Sequence, residues 1–311
     1  MRSAVAEVDL EAGVDVGPYA AFAAICILWG TTFVAIRIAI ETLPTLFVSG
    51  LRFILAGVIL LIVAKISRAK MPQGRRERLE QGFAGVVMAG CGNSLVVYAE
   101  HALTSGLAAL LAATIPIWMA VMESLRGVAP MTRRRMLGLA LGFGGVGLLV
   151  APAIGRPDVS MGFFLAVGAM QLSAICWNGG TLYSRSRPTH ADPLGRSVAQ
   201  MLPAGIVLTL LAFATGHRPS VAMFSFRSTA ALIYLAVFGS VIAYWAYNYA
   251  LTRLSAGKVS SYAYVNPAVA VFFGALLLSE PVTLRMIVAM LVILAGVATI
   301  QWEKAHAAAR V

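Results

Sequence analysis

Charged residues are scarce in this chain. Only 12% of its 311 residues are Asp, Glu, Lys or Arg, whereas 59% are hydrophobic, and the mean hydropathy is +0.83. Soluble globular domains carry about 25% charged residues and are about half apolar, so this composition excludes an ordinary soluble protein. It is typical of a protein that crosses a membrane.

Cysteine and histidine are also rare, at three and four residues. The cysteines, Cys26, Cys91 and Cys176, all fall in apolar segments, which argues against a disulfide framework. The histidines are dispersed, so we expect no metal site. The sequence has no Gly-Lys-Ser/Thr phosphate loop and no Gly-x-Ser-x-Gly elbow. We therefore expect neither an enzyme nor a bound cofactor.

Long apolar segments fill the rest of the sequence. They are roughly 20 residues long, the length that crosses about 30 Å of hydrocarbon as a helix. Because the segments are continuous and do not alternate in polarity, they predict an all-α membrane protein and not a barrel. Ten transmembrane helices are predicted, at about 19–39, 45–65, 82–102, 106–126, 136–152, 161–183, 197–215, 229–251, 258–278 and 283–302.

The basic residues predict the orientation of these helices. Eighteen of the 24 Lys and Arg residues lie in segments on the side of the N-terminus, and four lie on the opposite side. Since cytoplasmic loops carry the excess of Lys and Arg, both termini are predicted to be cytoplasmic. This asymmetry also accounts for the net charge of +11, so we expect no nucleic-acid partner.

The two halves of the chain are copies of each other. A shift of 148 residues places Ser49 on Ser197, and a shift of 151, after a three-residue insertion, places Pro116 on Pro267. Because each copy has an odd number of spans, the second copy must enter the membrane from the opposite side. Such inverted repeats are typical of transporters that alternate around a central site. The predicted organisation is a cytoplasmic tail at 1–18, five-helix repeats at 19–152 and 161–302, and a second cytoplasmic tail at 303–311.

Short motifs recur at the repeat spacing. The first span contains Trp29 followed by glycine, an Ala-Leu-Thr-Ser segment ends at Ser105 before a span with central Pro116, and Leu-Ser-Glu-Pro spans 278–281. With ten spans in two inverted copies, the chain resembles the EamA-type branch of the drug/metabolite transporter superfamily over about residues 20–302. One departure is that Glu280 has Ala129 as its counterpart in the first copy.

The eighth span is rich in aromatic residues, and it makes the chain similar to YddG-type exporters of aromatic and other amino acids. That resemblance implies an inner-membrane exporter with a central substrate cavity.

Polar and aromatic side chains at membrane depth are the candidates for that cavity, because unpaired polar groups in hydrocarbon cost several kcal/mol and tend to face water. The alternative for the amides is hydrogen bonding between helices, and for the tryptophans it is packing. Glu100 is open to three interpretations: a proton-coupling group, a partner for a substrate ammonium, or a solvated helix end. The predicted cavity residues are Trp29, Asn93, Tyr98, Glu100, His101, Trp118, Trp177, Asn178, Tyr244, Tyr247, Asn248, Tyr264 and Asn266.

Two cations and two prolines complete the candidate set. Arg37 and Arg52 are the only basic residues within the first two spans, and either could bind a substrate carboxylate, pair with a nearby acid or extend to the membrane surface. Pro116 and Pro267 occupy equivalent mid-span positions and are predicted either to act as hinges or to form static kinks.

A stripe of small residues marks the fifth and tenth spans. It comprises Gly138, Gly142 and Gly145 in the fifth span and, in part, Ala289 and Gly296 in the tenth. Such stripes let helices approach closely, which predicts scaffold helices that pack either within one monomer or between two.

The sequence therefore predicts a secondary transporter of the bacterial inner membrane, with a small-molecule substrate. The expected activity is export of amino acids, aromatic ones among them, either down the substrate gradient or in exchange for protons. Alternatives are an exporter of drugs, nucleosides or other metabolites and a non-transporting membrane scaffold or receptor. An intramembrane hydrolase is a further, weaker alternative.

Overall fold

The computed structural model describes residues 16–157, 159–216 and 219–308, with side chains described as far as residue 300. The predicted tail at 1–18 lies outside these residues except for 16–18, whereas 303–308 of the predicted tail at 303–311 continue the last helix. In the described part of the chain the regular secondary structure is entirely helical. The long helices are α1 (Gly17–Ala39), α2 (Thr45–Ile66), α3 (Gly74–Ala99), α4 (Ser105–Leu125), α5 (Arg133–Ala153), α6 (Met161–Ser186), α7 (Pro193–Ala214), α8 (Phe226–Arg253), α9 (Ala256–Leu278) and α10 (Leu284–Ala308).

The helices α1 to α9 are long and apolar enough to cross a membrane, and α10 is apolar over Leu284–Ile300. The prediction of an all-α membrane protein is thereby confirmed. Most helix ends lie within a few residues of the predicted ones. The exceptions are α10, which ends at Ala308 and not near residue 302, and α3, which begins at Gly74 and not near residue 82. Its first turns contain Arg, Glu, Leu and Gln, which are good helix formers, so the helix continues beyond the apolar segment.

The two repeats meet in reciprocal contacts, first between α2 and α7. A Cβ atom added to Gly57 would lie 2.6 Å from the side chain of Leu202, and one added to Gly205 would lie 2.6 Å from the backbone nitrogen of Ile54. The 148-residue shift converts the first pair of residues into the second. A two-fold axis that relates the repeats therefore passes between α2 and α7.

The helices α5 and α10 pack in the same reciprocal way. A Cβ atom on Gly138 would lie 2.5 Å from the carbonyl oxygen of Gly296, and one on Gly145 would lie 3.0 Å from that of Ala289. The 151-residue shift exchanges these two pairs. The small-residue stripe thus joins two helices of one chain, which answers the question that the sequence left open.

Both copies interrupt their third helix at equivalent positions. α3 has a π-helical segment at Val86–Gly92, and α8 has one at Leu235–Ile242. A π segment adds a residue to the turn and so rotates the helix beyond it. The two ends of α3 and of α8 therefore present different faces to their neighbours.

Both copies also break their fourth helix shortly before the equivalent prolines, Pro116 and Pro267. In α4, Ser105–Ala112 ends and a new helix starts at Ile115, with Pro116 in its first turn. In α9, a 3-10 segment over Ser261–Tyr264 precedes Val265–Leu278, whose third residue is Pro267. Proline lacks an N–H group, which the first turn of a helix does not need. Each proline thus lies in the first turn of a helical segment, and the break lies just before that segment.

Candidate functional site

A central cavity lies between the two repeats. In the orientation that the loop charges predict, its wall residues lie in the middle of the membrane and in its periplasmic half. The wall consists of Trp29, Thr32, Phe33 and Ile36 from α1, Arg52 and Phe53 from α2, Gly92, Asn93 and Val96 from α3, Ala112 and Ile115 from α4, Met170, Ser173, Ala174 and Trp177 from α6, Gly239 and Tyr244 from α8, and Tyr262 and Asn266 from α9.

An aromatic cluster forms one part of this wall. The ring centroid of Trp29 lies 5.2 Å from that of Trp177 and 4.6 Å from that of Tyr262, both in edge-to-face arrangements. Tyr244 extends the cluster, 6.1 Å from Trp177. The indole N–H of Trp29 donates to the carbonyl of Gly239 at 2.9 Å, which fixes the ring. The cavity thus offers rigid apolar ring surfaces, and Trp29 belongs to the first repeat whereas Trp177 belongs to the second.

Arg52 brings a positive charge into the same wall. Its side chain is buried, its Nε donates to the hydroxyl of Ser240 at 2.7 Å and its Nη1 donates to the amide oxygen of Asn93 at 3.3 Å. The guanidinium carbon also lies 5.2 Å from the ring centroid of Phe53. No carboxylate among the described residues lies within ion-pair distance of Arg52. Both of its hydrogen-bond partners are neutral, so the cation retains capacity for an anionic ligand.

Asn266 holds the first and ninth helices together at the edge of the cavity. With its amide nitrogen placed as the donor, it lies 2.8 Å from the carbonyl oxygen of Cys26 and 3.2 Å from that of Tyr262. Because both acceptors are backbone carbonyls, the amide oxygen of Asn266 is the atom left to accept a hydrogen bond from a ligand.

The structure brings some of the sequence-predicted residues together and leaves others elsewhere. Trp29, Asn93, Trp177, Tyr244 and Asn266 lie in the cavity wall, together with Arg52. The others lie outside this wall: Tyr98, Glu100, His101, Trp118, Asn178, Tyr247, Asn248, Tyr264 and Arg37.

Three of the outlying residues bind other helices. The amide of Asn178 donates to the carbonyl of Ile115 at 2.7 Å, and the indole of Trp118 donates to Gln171 at 2.9 Å. The hydroxyl of Tyr247 lies 2.8 Å from that of Thr181. These contacts match the alternative interpretation of such residues, hydrogen bonding and packing between helices.

The residues at the periplasmic ends form a separate group. His101 lies 2.6 Å from the hydroxyl of Thr45, and Tyr98 is 46% exposed. Arg37 donates to the backbone carbonyl of Glu100, whose side chain is fully buried. Arg37 also borders an outer depression with Glu41, Thr104, Arg227, Leu277, Leu278, Ser279 and Glu280.

A buried polar cluster fills the cytoplasmic side below the cavity. The amide oxygen of Gln81 accepts from Ser184 and from Gln200, each at 2.9 Å. The amide oxygen of Gln200 accepts from the hydroxyl of Tyr244 at 2.9 Å. Asn248 donates to the hydroxyl of Ser197, also at 2.9 Å. We call these residues, Gln81, Ser184, Ser197, Gln200, Tyr244 and Asn248, the cytoplasmic network; it joins α3, α6, α7 and α8.

Several wall residues were not predicted from the sequence. Tyr262 lies four residues before Asn266, Ser173 four before Trp177, and Thr32 three after Trp29. Residues three or four apart share a helix face. That spacing is the signal that would have found them.

The comparisons with known proteins agree with this architecture. The model of the EamA-like transporter family matches residues 18–151 and 164–302, one match for each repeat. The chain is 34% identical over 258 residues to the uncharacterized inner membrane transporter YedA of Escherichia coli strain K12, which covers 82% of this chain and 81% of that protein.

More distant similarities are consistent with the same architecture. The chain is 23% identical over 280 residues to a probable amino-acid metabolite efflux pump of Salmonella typhimurium, with 88% and 90% of the two chains covered. A solved crystal structure shares the fold, with a TM-score of 0.68 at 15% identity over 91% of this chain and 95% of the other. The bacterial inner membrane predicted from the sequence agrees with these relatives. By its two matched repeats and its relatives, the chain belongs to the EamA-like transporter family and is a multi-pass membrane transporter.

Proposed function

We propose that this transporter exports amino acids, aromatic ones among them, across the inner membrane by alternating access. The observation that carries the proposal is the position of Arg52, a buried cation with neutral partners, beside the aromatic rings of the cavity. A guanidinium pairs with a carboxylate in a two-pronged geometry, and aromatic rings favour a flat apolar side chain. Together these groups complement the two ends of an aromatic amino acid.

The other candidate for the carboxylate, Arg37, is less well placed. It lies at the outer depression, and it donates to the backbone of Glu100. We therefore assign carboxylate binding to Arg52. For the ammonium group, the cavity wall offers the amide oxygen of Asn266 and that of Asn93, which Arg52 shares.

The name of the Salmonella relative supports the same class of substrate. A cationic drug fits less well, because Arg52 would repel it inside a cavity of low dielectric. Neutral metabolites such as nucleosides would use the rings without the guanidinium. The behaviour of an Arg52 variant therefore separates the substrate classes.

The test is flux in proteoliposomes that contain the purified full-length protein. We expect uptake of labelled phenylalanine or tryptophan, and loss of most of it in Arg52→Gln. Arg253→Gln, which removes a cation from the exposed cytoplasmic end of α8, is the matched control and should transport normally. Flux of a nucleoside or a cationic drug without flux of any amino acid would exclude the proposal.

The energy source is measured in the same vesicles. If the exporter exchanges substrate for protons, uptake of labelled substrate should be faster when the vesicle interior is more acidic than the outside. The reversed pH gradient should slow uptake. Flux that depends only on the substrate gradient would identify facilitated diffusion.

A further inference from the structure

The cytoplasmic network has a counterpart in sequence on the periplasmic side of the cavity. In that network Asn248 of α8 reaches Ser197 of α7 at 2.9 Å and Gln200 of α7 at 3.4 Å. All three residues are buried. Together with Tyr244, these contacts hold α7 and α8 together where the cavity would otherwise open to the cytoplasm.

The repeat assigns each of these residues a counterpart near the periplasmic face. The 148-residue shift converts Ser197 into Ser49, Gln200 into Arg52 and Asn248 into Glu100. The counterparts lie on α2 and at the end of α3, which correspond to α7 and α8. We call Ser49, Arg52 and Glu100 the periplasmic set.

In this conformation the periplasmic set is not assembled. The hydroxyl of Ser49 and both carboxylate oxygens of Glu100 are buried without a hydrogen-bond partner. Arg52 reaches instead toward Ser240 and Asn93 in the cavity. Buried polar groups that lack partners are costly, and a carboxylate is more costly than a hydroxyl. A second arrangement that pairs them would therefore be favoured locally.

A second difference between the two sides agrees with this. Val96, the counterpart of Tyr244, lies in the cavity wall and is partly exposed, whereas Tyr244 is 2% exposed. At this position the cytoplasmic side is therefore the more tightly packed one and the periplasmic side is the looser one.

We infer that Ser49, Arg52 and Glu100 form the periplasmic gate, which assembles when the cytoplasmic network comes apart. An inverted repeat exchanges the conformations of its two halves during alternating access. Glu100 should then reach Ser49 and Arg52 as Asn248 now reaches Ser197 and Gln200. Arg52 leaves the cavity as the gate closes, so its position reports which side is shut. The inference rests on transport by alternating access and not on the identity of the substrate.

The experiment measures how fast a thiol in the cavity reacts with a reagent added outside. Val96→Cys supplies the thiol, in a full-length protein whose native cysteines are replaced, and spheroplasts expose the periplasmic face to a charged, membrane-impermeant thiol reagent. Asn248→Ala is then added to loosen the cytoplasmic network. We expect the labelling rate to fall several-fold, because the protein shifts to the state in which the periplasmic gate is closed.

Removing the gate should reverse this protection. Glu100→Ala, added to Asn248→Ala, is expected to restore the fast labelling. Glu41→Ala is the matched control: Glu41 lies at the same membrane face, but its carboxylate pairs with Arg227 at 3.3 Å. That control should leave the thiol protected.

A double variant with exchanged charges distinguishes loss of the gate from loss of the fold. Arg52→Glu combined with Glu100→Arg keeps an ion pair, so it should keep the protection in the Asn248→Ala background. All variants are compared for yield and monodispersity after purification. The inference is overturned if Asn248→Ala leaves labelling unchanged, or if the thiol stays protected in folded Glu100→Ala protein.

Discussion

The carboxylate of Glu280 accepts hydrogen bonds from the backbone N–H of Ser105 at 2.9 Å and from its hydroxyl at 2.8 Å. The loop after α9 thereby caps the first turn of α4, and a third bond from the N–H of Gly106, at 3.2 Å, completes the cap. A negative charge at a helix N-terminus is favourable both as an acceptor and through the helix dipole. The counterpart in the first repeat, Ala129, has no carboxylate and cannot form the same cap.

The cap predicts a loss of stability on its removal. Glu280→Ala should lower the free energy of unfolding by about 1–2 kcal/mol, and Glu280→Gln by less, because its amide oxygen still accepts. Thermal unfolding in detergent measures the change. Glu41→Ala, which breaks only an exposed ion pair, should have a smaller effect, and equal effects of the two alanine variants would contradict the cap.

The aromatic cluster predicts a selective change in substrate preference. Trp177→Leu should weaken competition by phenylalanine by about 2–10-fold, since aromatic pairs contribute about 0.5–1.5 kcal/mol, and should affect alanine much less. Inhibition of labelled-substrate flux by each amino acid gives the comparison. Trp118→Leu is the control, because Trp118 lies outside the cavity wall and contacts Gln171. An equal loss for both amino acids would mean that Trp177 does not contact the substrate side chain.

The cytoplasmic network predicts that a disulfide between α7 and α8 will arrest transport. Ser197→Cys combined with Asn248→Cys places two thiols where the present side chains meet at 2.9 Å. Oxidation should cross-link them, arrest flux and leave the periplasmic side accessible, and a reductant should restore transport. Flux and gel mobility are measured on the same sample. Continued transport by fully cross-linked protein would show that α7 and α8 need not separate on the cytoplasmic side.

The helix breaks predict an effect of proline on turnover. Pro116→Ala supplies an N–H group that could extend the helix back across the break at 113–114, and Pro267→Ala could do the same in α9. If these breaks are hinges, we expect flux to slow several-fold while substrate binding is kept. Pro203→Ala, inside α7, is the control. Unchanged turnover in both variants would identify the breaks as static kinks.

The architecture could be predicted from the sequence because the apolar segments mark the membrane spans and the spacing of repeated residues relates the two halves. Ser49 on Ser197 and Pro116 on Pro267 were sufficient to align the repeats, and the reciprocal packing of Gly57 and Gly205 follows the same shift. Trp177 could be placed in the cavity wall because it lies too deep for the membrane interface.

The side-chain directions were harder to predict. The sequence favoured Tyr264 over Tyr262, but the 3-10 segment at Ser261–Tyr264 has three residues per turn, which changes the face each residue presents. Asn178 and Asn248 carry the same amide as Asn93, yet they turn toward neighbouring helices. Such choices depend on which carbonyl or hydroxyl the neighbouring helix presents, and no single helix contains that information.

The reciprocal glycine contacts of α2 with α7 and of α5 with α10 have a mechanical consequence. When the two repeats exchange conformations, each helix pair is converted into itself. The contact of Gly57 with Leu202 becomes that of Gly205 with Ile54, which joins the same two helices. Each of these two helix pairs can therefore keep its own packing through the whole cycle. The motion that carries substrate then belongs to the other six helices. Tighter packing within the two pairs should raise the free energy of unfolding without favouring either the inward-facing or the outward-facing conformation.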